Sequence, residues 1–242
     1  MLSIIIPSFK EGNIIDVSVI EIINALNNVI EYEIIVIDDN SNDRTLEKIK
    51  VLSSSNSNVH IYLNQSAKGF GNSIKEGIKR AKGEFICFVM ADQSDDPQDI
   101  IKYYNLMNSG LYDCIFGDRW GIEQNVKNYP KFKFFLNRVG NKLLARVFNI
   151  KYTDVTNSFK MYRKEVLMNL FPLVSNHFSI TIEIPLKVIY REYKFKITPN
   201  SWRNNEHSVS NLNLWNVFFT YSLILIYCRI EKYFINHKSN NS

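Results

Sequence analysis

The chain has 242 residues, 45% of them hydrophobic, and a formal net charge of +5. That length suits one sizeable α/β domain with a short appendage and argues against two independent domains. The mild basic excess suits phosphate groups or an anionic membrane surface but is too weak to point to nucleic acid. Cys87, Cys114 and Cys228 are far apart and form neither a metal-ligand pattern nor a disulfide framework. Cys87 and Cys114 fall inside apolar runs and read as core residues in a reducing compartment.

Residues 1–8 are apolar, lack a basic segment and are broken by Pro7, so they read as a buried strand, not a signal peptide. The chain is therefore expected to stay cytosolic. The first strand is expected at 2–6 and a helix from about 14 to 29. A second strand at 33–37 (EIIVI) ends in Asp38 and Asp39, and a helix follows near 42–43, where Asp43 and Thr45 suit capping. Strands at 59–63, 84–89 and 113–116 alternate with helices at 72–81 and 97–108. Continuous apolar strands between amphipathic helices predict a mostly parallel sheet covered on both faces. Ligands of such sheets bind at the carboxyl ends of the strands. Residues 7–11, 38–41, 91–96 and 117–119 would therefore share one rim.

The second half predicts a basic helix at 131–148, a loop leading into a strand over 152–162 and a helix at 179–192 despite Pro185. A strand at 195–199 and a polar loop at 204–210 follow, then a very apolar helix at 211–235 and a disordered tail from 237. From 212 to 228 there is no charge, the lower limit for a spanning helix. Asn213, Asn216 and Thr220 make a polar stripe along it, which suits a helix lying in a membrane interface. Packing against the body or a partner, or a true span, are the other readings.

Several segments carry chemistry. An Asp pair at a strand end either caps the next helix or meets a base, a ribose or metal-bound water. Asp92, Asp95 and Asp96 follow a buried strand within five residues, and such carboxylates repel unless a cation or donors sit between them. A hard divalent ion bridging carboxylate and diphosphate oxygens is the natural occupant; Asp95 or Asp96 also suits the N-cap of the helix opened by Pro97. Residues 68–71 (KGFG) resemble part of a dinucleotide fingerprint. They follow the third strand and lack the later glycine, which speaks against a nicotinamide oxidoreductase. Small residues at a helix start beside Lys68 still suit close approach to a nucleotide.

Taken in order, residues 4–11 (IIIPSFKE), 33–45 (EIIVIDDNSNDRT), 68–71 and 89–97 (VMADQSDDP) resemble the family 2 glycosyltransferases. Residues 117–119 (GDR), 137–141 (NRVGN), 153–162 (TDVTNSFKMY), 201–203 (SWR) and 209–212 (VSNL) narrow the likeness to the polyprenyl-phosphate mannose synthases and their relatives. The resemblance covers roughly residues 2–212. It implies a GT-A fold, Rossmann-like, over 1–210, with a nucleotide-sugar half to about 120 and an acceptor half beyond. A membrane-associated helix at 211–236 and a tail at 237–242 would follow.

It further implies an inverting transfer of a sugar from a UDP- or GDP-sugar to a polyprenyl phosphate at the cytoplasmic membrane face, with Mg²⁺ or Mn²⁺ as cofactor. The resemblance places Pro7, Phe9, Glu11 and Asp39 on the nucleoside, with Lys68 and Gly69 beside the nucleotide. Asp92 would hold the metal, assisted by Ser94 and Asp95, because Met90 replaces the first Asp of the usual Asp-x-Asp and a thioether does not ligate a hard cation. Arg119, Arg138 and Arg203 would grip phosphate, with Asn137, Asn141, Asp154 and Asn157 shaping the acceptor and sugar side. Asp92, Asp154 and Arg119 are the expected catalytic residues, and Glu183 is a lesser candidate for orienting the sugar. The chain departs from the family at Asn157–Ser158, where Ser-Gly is usual, and at 210–212, where Ser-Lys-Leu is usual. Rival readings are transfer to a sugar hydroxyl of a lipid-linked glycan and a non-catalytic module that binds nucleotide sugars.

Overall fold

The computed structural model describes residues 1–121, 125–204 and 214–239. The expected alternation is present: β1 (Leu2–Ser8), α1 (Ile15–Leu26), β2 (Tyr32–Asp38), α2 (Thr45–Ser55), β3 (Val59–Leu63), α3 (Phe70–Arg80), β4 (Phe85–Phe88), α4 (Pro97–Asn108) and β5 (Cys114–Asp118). The remainder comprises β6 (Asn125–Lys127), α5 (Lys131–Phe148), β7 (Lys160–Arg163), α6 (Lys164–Asn169), α7 (Ile180–Tyr190), β8 (Phe195–Pro199), β9 (Ser201–Arg203) and α8 (Leu214–Ser239).

One sheet runs in the order β3-β2-β1-β4-β7-β5-β8, and a separate ribbon pairs β6 with β9. The large sheet is parallel except for β7, which lies antiparallel between β4 and β5. β1 and β2 are buried on both faces because successive side chains alternate between two cores. Leu2, Ile4 and Ile6 join Ile15, Val19, Ile100 and Tyr103 on one face. Ile5, Ile35 and Ile37 join Ile74, Tyr162, Ile182, Ile224 and Cys228 on the other. All three cysteines are buried and free.

Chain order reverses at β1, which sends β2 and β3 to one side and β4 to the other. The crevice this opens between the ends of β1 and β4 is where such sheets take ligands. Four elements differ from the sequence expectation. The ribbon β6–β9 and the short α6 were not foreseen, and α8 continues through Ser239, past the expected start of the tail. The expected polar loop at 204–210 and the last three residues lie, apart from Asn204, outside the described residues.

Candidate active site

The rim is built from loops that brace one another. Asp38 closes its own turn by accepting from the Ser41 amide at 3.1 Å and from the Ser41 hydroxyl. Asp39 joins three loops. Its Oδ1 accepts from Asn64 Nδ2 at 2.7 Å, its Oδ2 accepts from the Gly69 amide at 2.8 Å, and its own amide donates to the Ser8 carbonyl at 2.8 Å. Asp43 accepts from the Gly12 amide at 3.0 Å and the Thr45 amide at 3.1 Å, tying the β1 loop to the start of α2. Pro7 is buried in β1. Phe9 is exposed beyond it, with the ammonium groups of Lys10 and Lys68 at 5.4 and 5.3 Å from its ring centre. An exposed ring between two cations suits a planar base with a charged phosphate tail. Burial pushes the Glu11 carboxyl up to about 7, and Asp92 and Asp43 add to the rise. Glu11 and Asp92 therefore feel each other across the crevice.

The 90–96 loop divides its acids among three tasks. Asp96 is the N-cap of α4, accepting from the Gln98 amide at 2.9 Å. Asp95 is buried, and its Oδ2 accepts from the Met90 amide at 3.0 Å. Burial pushes the Asp95 acid up to about 7 even against that bond. Ser94 is also buried, its amide donating to Asp92 Oδ1 at 3.0 Å and its carbonyl accepting from the Arg203 amide at 2.9 Å. Ser94 and Asp95 are thus buried and help to hold the loop, while Asp92 is half-buried at the rim. Among the described residues no three His, Cys, Asp or Glu converge as a complete metal cage. A magnesium-like ion on a diphosphate needs only one or two protein carboxylates, because phosphate oxygens and water complete its shell. Asp92 fits that mode.

Arg203 also differs from expectation. Its Nε donates to the Gln93 carbonyl at 2.8 Å and its Nη2 pairs with Glu21 of α1 at 2.7 Å. It stitches the Asp92 loop to α1. Arg119 and Asp154 form a buried fork, Nε to Oδ2 at 2.9 Å and Nη2 to Oδ1 at 2.8 Å. Asp154 also accepts from the Arg119 amide at 3.0 Å and from Trp120 Nε1 at 3.1 Å. A carboxylate with both oxygens so committed anchors the β5 turn and is not placed to orient a sugar. Asn137 and Asn141 clasp Thr156, with Asn141 Nδ2 donating to Thr156 Oγ1 at 2.8 Å and Asn137 Nδ2 at 3.2 Å. Asn157 is buried and donates to the Gly117 carbonyl and to Asn200 Oδ1, each at 3.0 Å. Arg138 is the expected phosphate ligand with the lightest internal duty. Its Nη1 donates to the Thr153 carbonyl at 3.3 Å, and its guanidinium lies 5.6 Å from the Trp120 ring centre.

Against this geometry, the family model described as Glycosyl transferase family 2 matches residues 3–171. The chain belongs to glycosyl transferase family 2. It is 32% identical over 195 residues to a dolichol-phosphate mannosyltransferase of Pyrococcus furiosus, covering 78% of this chain and 53% of that protein. It is 25% identical over 233 residues to the poly(ribitol-phosphate) beta-N-acetylglucosaminyltransferase TarP of Staphylococcus aureus, covering 90% of this chain and 68% of that protein. The chain thus spans about half the length of the mannosyltransferase it matches. In fold it is similar to glucosyl-3-phosphoglycerate synthase of Mycobacterium tuberculosis in complex with uridine diphosphate. That match has a TM-score of 0.71 at 14% identity and covers 94% of this chain and 79% of the other. The same protein with Mn²⁺, uridine diphosphate and phosphoglyceric acid gives a TM-score of 0.69 at 14% identity over 96% of this chain and 78% of the other. The fold is therefore GT-A, as the sequence implied.

Three features of the site carry no clear signature in the sequence. Trp120, Tyr129, Phe134 and Trp202 form an aromatic cluster, with Trp120 meeting Tyr129 at 5.2 Å and Phe134 at 5.0 Å edge-on, and Tyr129 meeting Trp202 at 4.7 Å. Lys160 is buried, donating to the carbonyls of Val155 and Asn157. In the first turn of α3 the Gly71 and Asn72 amides are taken up by the Asn176 carbonyl, at 3.0 and 3.3 Å. Only the lysine has a local signal, a charge set between Phe159 and Met161. The others depend on partners tens of residues away.

Proposed function

We propose that this glycosyltransferase moves a sugar from a nucleoside diphosphate sugar to a polyprenyl phosphate at the cytoplasmic face of a membrane, with inversion at the anomeric carbon. The observation that carries this reading is Arg138, a cation set over an aromatic cluster and next to an exposed apolar helix face. Phe135, Val139, Leu143 and Val147 of α5 are all exposed, as are Phe219, Leu223, Ile226 and Ile230 of α8. Arg229 of α8 donates to the Val147 carbonyl at 3.4 Å, so the two faces adjoin. Exposed apolar surface of this extent beside basic residues suits a lipid headgroup boundary. The proposed attachment is interfacial, on the strength of this exposed apolar face; among the described residues no helix is long and apolar enough to cross a membrane. The likeness to dolichol-phosphate mannosyltransferases supports the acceptor class.

The acceptor needs no dedicated base. A phosphate monoester is already ionised near neutral pH, so one of its oxygens attacks the anomeric carbon directly. The bond from that carbon to the donor diphosphate breaks as the new bond forms, and the nucleoside diphosphate leaves on the opposite face. The protein's tasks are positioning and charge compensation. Phe9, Asp39 and Lys68 hold the nucleotide, and Arg138 orients the attacking phosphate. A divalent cation on Asp92 and the donor diphosphate would offset the charge of the leaving group, and solved relatives in fold carry Mn²⁺ or Mg²⁺.

The test is turnover of a panel of UDP- and GDP-sugars by the full chain on vesicles carrying polyprenyl phosphate, with Mg²⁺ or Mn²⁺. Consumption of one donor with a glycolipid product, dependent on the lipid phosphate, is expected. The 90% coverage by TarP, named for a poly(ribitol-phosphate) acceptor, favours a polyol or sugar hydroxyl as the second reading. Turnover on a polyol-phosphate polymer but not on lipid phosphate would select it.

A further inference from the structure

We propose that Glu183 is a positioning residue for the donor pocket, acting through the strap of residues 171–178 that it clamps against the start of α3. This rests on the reading of the β1–β2 rim as the site for a nucleotide sugar. Glu183 has 0% exposure, so it touches no substrate. Its two oxygens accept from successive strap amides, Val174 at 2.9 Å and Ser175 at 2.8 Å. Lys187, one turn on, pairs with Glu183 at 3.2 Å and donates to the Pro172 carbonyl at 2.7 Å, so the strap is held by donors and acceptors together. Lys187 also pairs with Glu231 of α8 at 3.1 Å, which extends the clamp to the last helix.

The other edge of the strap is locked to the donor loop. The Asn176 carbonyl accepts from the Gly71 and Asn72 amides in the first turn of α3, and its side chain accepts from Lys75 Nζ at 2.9 Å. Phe178 stacks on Phe70 with ring centres 4.2 Å apart and planes at 10°. No side chain fits between loop and strap. A Cβ on Gly69 would lie 2.2 Å from the Asn176 carbonyl oxygen, and one on Gly71 would lie 2.5 Å from that of Ser175. Gly69 then passes the strap's position on, because its amide is the donor that fixes Asp39. Packed chains of this kind carry displacement over distance because each link has little slack. The glycines at 69 and 71 thus serve the strap, and the strap places Asp39, Phe9 and Lys68 for the nucleotide.

The experiment compares wild type, Glu183→Gln and Gly71→Ala as full chains. Calorimetric binding of UDP and GDP is measured together with donor and acceptor KM and with the far-UV spectrum. Glutamine accepts with one oxygen and turns an amide donor toward a strap amide, and Gly71→Ala pushes the same strap from the α3 side. Both are expected to weaken nucleotide binding and raise donor KM about tenfold, with acceptor KM unchanged and kcat largely kept. The double variant is expected to lose less than the sum of the two, since both act on one strap. Wild-type nucleotide affinity in both variants would overturn the proposal while leaving the donor reading intact. Equal losses in donor and acceptor KM would overturn it in favour of general loosening. Absence of UDP or GDP binding in wild type would remove the donor reading and this proposal with it. If Glu183→Gln does not fold, Gly71→Ala alone decides between these outcomes.

Discussion

At the scale of single residues, this site shows how one carboxylate is spared by the commitments of its neighbours. Asp95 and Asp96 are spent on the Met90 amide and on capping α4. Asp92→Ala is therefore expected to cut transfer by a factor on the order of 100 or more while the fold and UDP or GDP binding persist; near-normal turnover in the presence of Mg²⁺ would remove Asp92 from the metal role. Arg203→Ala loses the bonds to the Gln93 carbonyl and Glu21 and so loosens the Asp92 loop. Donor turnover should fall with lipid-phosphate KM unchanged, and a rise in that KM alone would instead place Arg203 on the acceptor. Burial holds the Lys160 ammonium down to about 7, against an ordinary value of 10.5. Between those values the unfolded chain binds a proton that the folded chain does not, so this group makes stability rise with pH above about 7. Urea midpoints taken from pH 7 to 9 should climb in wild type and flatten in Lys160→Met, which also loses the two carbonyl bonds. A parallel climb in the variant would assign the effect to another group.

At the scale of elements, α8 has two faces with different work. Ile224 and Cys228 enter the core and Glu231 joins the Lys187 clamp, whereas Leu223 and Ile226 stand 62% and 58% exposed. Leu223→Glu with Ile226→Glu should abolish sedimentation with anionic vesicles and leave nucleotide affinity unchanged; intact vesicle binding would shift the apolar stripe to another use. The elements legible in the sequence were those with local signals. α4 begins where Asp96 caps and Pro97 opens, β8 stops at Pro199, and α5 runs from Pro130 to the left-handed Asn149, each within the reach of a short window. β6 and β9 are three residues each and exist because they pair with one another across 76 positions, Asn125 with Ser201, which no periodicity encodes. The same holds for side chains. The rim position of Asp92 was readable from its strand, but the Arg119–Asp154 fork and the Glu183 clamp are partnerships made only when the chain folds.

At the scale of the whole molecule, the first and second halves of the chain contribute strands to one sheet. β7, returning antiparallel between β4 and β5, belongs to neither half's rim, since its carboxyl end points the other way. It acts as a spacer. Two inter-strand steps separate the strand that delivers Asp92 from the strand that delivers Arg119 and Trp120, roughly 10 Å at ordinary sheet spacing. One strand of four residues, paired along both edges, therefore sets the spacing between the rim that carries Asp92 and the rim that carries the Arg119–Asp154 fork.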